Sequence, residues 1–122
     1  MSVFINFSNH PSFRWSEEQL AAARSYGDIM DLPFPNVSPT ASTEEVQELA
    51  EPVIQKIIEQ KPAAVMCQGE FTLSVYVISQ LVKQGILVLT ACSERVVTEK
   101  TENGELVKTA AFHFVQFRPY VI

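Results

Sequence analysis

Short apolar runs alternate with amphipathic helical segments through most of this chain. The runs are each short enough for a buried strand, and they cover residues 3–7, 28–32, 63–67 and 86–91. Capping boxes at residues 16–19 and 42–45 predict the starts of two helices, and a third helix follows residues 68–72 and ends at Gly85. Strands that alternate with helices predict an α/β fold, a small Rossmann-like parallel sheet with helices on both faces.

The end of the chain has a different pattern. Residues 95–101 and 106–117 are strand-like and flank Asn103-Gly104, the dipeptide most typical of a two-residue β-turn. We therefore expect a C-terminal antiparallel β-hairpin. Its second arm is too apolar for a solvated edge, so it should pack on the sheet or form a subunit contact. With 122 residues, 47% of them hydrophobic, the chain is expected to form one domain over residues 1–122.

Charge and cysteine content exclude several classes of function. Nine Lys and Arg against fourteen Asp and Glu give a net charge of -5, which disfavours binding to duplex DNA. Cys67 and Cys92 lie in apolar runs, so we expect two reduced thiols packed in the core of a cytoplasmic protein. No targeting or membrane segment is predicted. Two histidines and two isolated cysteines also predict no metal site, and no cofactor motif is present.

Three polar segments are expected at the carboxyl ends of the strands, where parallel sheets bind ligands: residues 8–12, 68–72 and 92–95. Gly69 lies between a strand and a helix, where it could let a ligand approach the backbone beside free amides suited to an anion. A helix that is simply entered through glycine explains the same pattern equally well.

Each candidate side chain has a functional and a structural interpretation. His10 could donate to a phosphate or transfer a proton, or it could cap a turn. Glu70 could bind a ribose hydroxyl or act as a base, or it could be an ordinary acid of a first helical turn. Arg95 is the only cation in the three segments and could pair with an anion, or be a charge at the hairpin entry. Trp15 could pack on the sheet edge or stack on a base.

Four motifs together resemble a known family. They are Asn9-His10 after the first strand, Gln68-Gly69-Glu70-Phe71, Ser93-Glu94-Arg95-Val96-Val97, and the closing segment over residues 112–120. In this order they resemble the small stand-alone CARF-type proteins of type III CRISPR systems, a group that includes ring nucleases.

The resemblance implies a CARF-like homodimer that binds a cyclic oligoadenylate messenger, with cyclic tetra-adenylate as the expected ring. It also implies metal-independent cleavage by attack of a ribose 2'-hydroxyl, which would switch off type III CRISPR signalling. The alternatives are a binding module that sequesters or senses the messenger, and a structural dimer in an effector assembly. The predicted catalytic residues are His10, Glu70 and Arg95. The predicted ligand-binding residues are Asn6, Ser8, Asn9, Gln68, Gly69, Phe71, Thr72 and Ser93.

Overall fold

A computed structural model describes residues 2–122, which form one five-stranded mixed sheet and three α-helices. The elements in chain order are β1 (Val3–Ser8), α1 (Glu17–Arg24), β2 (Asp28–Pro33), α2 (Thr43–Glu59), β3 (Ala64–Gln68), α3 (Phe71–Lys83), β4 (Val88–Glu102) and β5 (Glu105–Pro119). A 3-10 turn (Ser12–Arg14) lies between β1 and α1. The expected α/β fold with a C-terminal hairpin is confirmed.

The strands are ordered β2-β1-β3-β4-β5 across the sheet. The first four are parallel, and only β5 runs antiparallel, against β4. The hairpin therefore belongs to the sheet itself, which is mixed rather than wholly parallel. From β1 the chain first forms β2 on one side of β1 and then crosses to form β3 on the other side. The point where the strand order reverses therefore lies between β1 and β3.

The helices cover both faces of the sheet, as predicted. Alternate residues of a strand point to opposite faces, so Ile5 and Phe7 share one core while Phe4 faces the other. Residues of α2 and α3 fill the first core, and Ala23 of α1 packs in the second. Within residues 2–122, no helix is both long and apolar enough to cross a membrane.

The two predicted capping boxes differ in the structure. Ser42 and Glu45 form a complete box, because each side chain bonds the other residue's backbone amide. At α1, Ser16 accepts from the amide of Gln19 at 3.2 Å, but the Gln19 side chain points to the sulfur of Met66. The second half of that predicted box is wrong, since Gln19 contacts the core instead.

The predicted fourth strand, residues 86–91, and the predicted first strand of the hairpin, residues 95–101, are one strand in the structure. The polar segment expected between them does not interrupt β4, a 15-residue strand with a β-bulge between Cys92 and Ser93. Only Val88 and Leu89 pair with β3, so the rest of β4 pairs with β5 alone. Residues 93–102 and 105–114, with the turn at Asn103-Gly104, form a two-stranded ribbon that we call the arm.

Candidate functional site

The site lies where β1 and β3 end. Ser8 and Gln68 are register partners at the carboxyl ends of these neighbouring strands, and the loops that follow lead to opposite sides of the sheet. Such a divergence leaves a crevice in open α/β sheets, and ligands bind there. The predicted segments after β1 and β3 are therefore brought together at one edge.

Two of the cavities at this edge are lined by both His10 and Gln68. Cavity A has a volume of about 390 Å³ and lies beside α3; its lining includes Gly69, Phe71, Ser74, Thr90 and Tyr120. Cavity B has a volume of about 740 Å³ and lies between α1 and the root of the arm; its lining includes Arg14, Trp15, Ser93, Phe112 and Phe114. His10 and Gln68 line both cavities, so they form the ridge between them. Both volumes fall in the range of small-molecule sites.

The loop that carries His10 is held by buried polar side chains. Asn6 donates from Nδ2 to the His10 carbonyl at 2.9 Å and to Asp31 Oδ1 at 3.0 Å. The Ser8 hydroxyl donates to Asn6 Oδ1 at 2.6 Å and accepts from the His10 amide at 3.2 Å. Trp15 Nε1 also donates to the His10 carbonyl, at 3.0 Å.

These bonds change the interpretation of Asn6 and Ser8. Both were predicted to bind ligand, but both are buried and their polar atoms are engaged within the chain. They position the backbone of His10, whose side chain is exposed, as is that of Asn9. A loop fixed in this way presents an imidazole in a defined place, which a catalytic or binding group requires.

Gln68 is anchored to the strand beside it. Its Oε1 accepts from the Ala91 amide at 2.6 Å, just beyond the point where β3 and β4 stop pairing. With the oxygen engaged, the amide nitrogen is the group that Gln68 presents to the two cavities.

Glu70 is the N-cap of α3. Its carboxylate accepts from the Thr72 amide and hydroxyl and from the Leu73 amide, the last at 3.2 Å. Hydrogen bonding from the Thr72 side chain is the largest cause that lowers the pKa of Glu70 from the usual 4.5. The Thr72 and Leu73 amides are thus satisfied by the chain's own carboxylate, so they are not free for the anion predicted at this helix start. Thr72 lines neither cavity A nor cavity B.

Gly69 is required by packing. A Cβ at this position would overlap the ring of Phe34, which is buried and stacks on Phe7 with ring centroids 4.7 Å apart. Close packing against Phe34 therefore explains the glycine at this position without a ligand. Gly69 still lines cavity A, so its backbone faces the site.

The cations are placed differently from the prediction. Ser93 lines cavity B, but Arg95, next on the same face of β4, lines neither cavity. Arg14 was not predicted, and it does line cavity B. Its guanidinium carbon lies 5.5 Å from the centroid of the Phe13 ring. The turn over residues 12–14 brings Arg14 to the cavity, and no local sequence pattern marks this placement.

The floor of cavity A includes residues that sequence reasoning missed. Tyr120 donates to the Cys67 carbonyl at 2.6 Å, and burial raises the pKa of its phenol. The hydroxyl of Ser74 is buried beside the Cys67 thiol, whose pKa burial raises to about 12. Cys67 is therefore a neutral core thiol, as predicted, whereas Cys92 is partly exposed.

Exposed aromatic rings surround the site. Phe71 is 86% exposed and lines cavity A, while Phe112 is 72% exposed and lines cavity B. Phe13, in the turn beside Arg14, is 78% exposed. Large aromatic rings that stay in water beside a cleft are available to stack on a planar ligand.

Fold and site together define an α/β protein with an open, aromatic-rimmed cleft at the carboxyl edge of its sheet. Among residues 2–122, no group of three or more His, Cys, Asp or Glu side chains is arranged to hold a metal ion. Residues 2–118 match the model of the family described as Uncharacterized protein MJ1673 family, and the chain belongs to that family. Searches of the curated proteins and of the solved structures found no match.

Proposed function

We propose that this protein is a cytoplasmic ring nuclease of the CARF type, which binds and cleaves a cyclic oligoadenylate and so ends type III CRISPR signalling. The proposal includes a small Rossmann-like CARF domain, a homodimer and cyclic tetra-adenylate as the preferred ring. The observation that carries it is the ridge of His10 and Gln68 between two cavities, at the edge where α/β sheets bind nucleotides.

The chemistry of the cleft supports a nucleotide ligand. Exposed Phe71 and Phe112 offer surfaces on which bases can stack. Stacking of a base on an aromatic ring does not require a positively charged protein. Arg14 supplies a positive charge in cavity B, where a phosphate would be held. A local cation beside amide and hydroxyl donors binds an anion despite the net charge of -5.

In the proposed reaction the protein mainly orients the reacting atoms and stabilises the charge that develops on the phosphate. A ribose 2'-oxygen attacks the adjacent 3'-phosphorus, the bond to the 5'-oxygen breaks, and the product carries a 2',3'-cyclic phosphate and a 5'-hydroxyl. One proton leaves the attacking hydroxyl and one reaches the departing oxygen. The cleft would hold the attacking oxygen in line and Arg14 would stabilise the developing charge.

His10 is the favoured proton-transfer group. It is the titratable side chain that lines both cavities, and its backbone is fixed by Asn6, Ser8 and Trp15. Glu70 is a poor candidate, because three hydrogen bonds stabilise its charged form and lower its pKa. Arg95 lies outside both cavities, so Arg14 takes the charge-stabilising place in the proposal.

A sequestering module is the second candidate. Few titratable side chains line the cavities among the described residues, namely His10, Arg14 and Tyr120, and the Tyr120 hydroxyl is already bonded to a carbonyl. A protein built only to hold the messenger would need no more than these.

The test is incubation with labelled cyclic tri-, tetra- and hexa-adenylate in the presence of a chelator, with chromatography of the products. We expect linear products with 2',3'-cyclic phosphate ends. His10→Ala should retain binding and lose about a hundredfold in single-turnover rate, the usual scale for one acid or base. His113→Ala is the matched control, since His113 is exposed on the arm and should leave the rate unchanged. Binding without products would favour the sequestering module, and absence of binding would contradict both.

A further inference from the structure

The arm is a large structure with little support from the rest of the chain. Its two strands extend roughly 30 Å, and residues 93–113 are exposed except for Val107. Its exposed large apolar side chains include Val97, Leu106 and Phe112. An isolated two-stranded ribbon is marginally stable in water, so an arm of this length and composition needs a partner surface.

The two faces of the arm differ. The inner face is the one continuous with cavity B, and its central cross-strand pairs are Arg95–Phe112, Val97–Ala110 and Glu99–Lys108. The outer face has Thr98–Thr109 at its centre, with Glu94 towards the body and Glu102 at the tip. Alternation along each strand fixes this division.

The charge pattern of the inner face is self-complementary. A two-fold axis at Val97 and Ala110, running across the strands, sets two arms antiparallel with inner face on inner face. Arg95 then lies opposite the partner's Glu99, and vice versa. The small side chain of Ala110 at the centre allows close approach.

The remaining inner-face positions also match under this operation. Phe112 lies opposite the partner's Lys108, a pairing of ring and cation, and Phe114 lies opposite the partner's Leu106. A two-fold axis at the centre of the outer face, Thr98 and Thr109, instead brings Glu94 against the partner's Glu102, which is repulsive. The inner face also carries the more exposed apolar side chains of the arm, Val97, Leu106 and Phe112, so it is the face that fits a second copy of this chain.

We propose that two copies associate antiparallel through the inner faces of their arms, so that the tip of each arm covers the partner's cavity B. The inner face of the arm offers ten residues per copy, fewer than the about 20–30 that a standard interface takes from each side, and contacts of the tip with the partner's cavity B add to them. Antiparallel arms place the two bodies at opposite ends of the pair. This inference specifies the interface of the homodimer in the proposed function. It rests on that proposal only for the identity of the ligand in cavity B.

The first test is a charge exchange followed by sedimentation equilibrium. Arg95→Glu and Glu99→Arg should each raise the dimer dissociation constant about tenfold or more, because each opposes like charges twice. Mixing the two variants should restore association, since every contact again joins a cation and a carboxylate. Loss of the in-chain Glu99–Lys108 pair contributes little, because both side chains are largely exposed.

A matched pair of variants tests which face is used. Ala110→Arg should abolish the dimer, whereas Thr109→Arg, its neighbour on the outer face, should leave it intact. Thermal unfolding of each variant at low concentration checks that the body is folded. A monomeric wild type, a mixture that stays monomeric, or equal effects of the two arginines would overturn the inference. A dimer that shows this pattern but binds no cyclic oligoadenylate would refute only the proposed ligand.

Discussion

At Gly69, the absence of a side chain stabilises the fold through the stacked rings of Phe34 and Phe7. We predict that Gly69→Ala lowers the free energy of unfolding by about 1–3 kcal/mol, the usual cost of overpacking a filled core. Chemical denaturation measures this loss. Because the ring of Phe34 is what the new methyl group meets, the cost should shrink when Phe34→Leu is already present.

A double-mutant cycle therefore separates packing from ligand access. Coupling between Gly69→Ala and Phe34→Leu supports the packing role. The opposite result, a Gly69→Ala protein with unchanged stability that no longer binds ligand, would show that the glycine serves the cleft.

Glu70 stabilises the start of α3 only while it is charged. Its pKa is lowered in the folded state, so its contribution is complete above the ordinary carboxyl value of 4.5 and disappears as the pH falls through the lowered pKa. We predict that Glu70→Ala costs about 1 kcal/mol at neutral pH, typical of a lost N-cap. The difference from wild type should narrow in acid.

Denaturation curves for both proteins between about pH 2 and about pH 7 measure this dependence. Glu18→Ala is the control, because Glu18 lies in the first turn of α1, where Ser16 is the cap. A gap between Glu70→Ala and wild type that stays constant into acid would contradict the capping role.

Among the elements, those with one buried face were the predictable ones. The complete box at Ser42 and the apolar spacing after it predicted α2, and the positive φ of Asn103 and Gly104 confirms the turn between the hairpin strands. The gap predicted between the fourth strand and the hairpin has a physical reason. The arm does not pack against the body, so Ser93-Glu94 shows no apolar alternation that would mark it as part of a strand.

The candidate site was predictable to the same extent. The segments after β1 and β3 could be located because strand ends follow from the apolar runs, and His10 and Gln68 do line the cleft. Arg14 and Tyr120 could not be found in this way. Arg14 reaches the cleft through a turn closed by Trp15, and Tyr120 through the register of β5 after a bulge. Both depend on three-dimensional contacts that no local pattern encodes.

For the whole molecule, the body and the arm have separate sources of stability. Every buried hydrophobic side chain lies between Phe4 and Leu89 among the described residues, so the arm adds nothing to this core. The arm can therefore be removed at Ser93 and Phe114, which are cross-strand partners, by joining them through a two-residue Asn-Gly turn. We predict that this shortened chain still unfolds cooperatively.

The concentration dependence of unfolding should differ between the two proteins. Association that stabilises only the folded state raises the melting temperature as protein concentration rises. The wild type should show such a rise, and the shortened chain should melt at one temperature at all concentrations, because its means of association is gone. Differential scanning calorimetry over about a hundredfold range of concentration, where linkage predicts a clear shift, measures both. A shortened chain that fails to fold, or one whose melting temperature still rises, would show that body and arm are not separate.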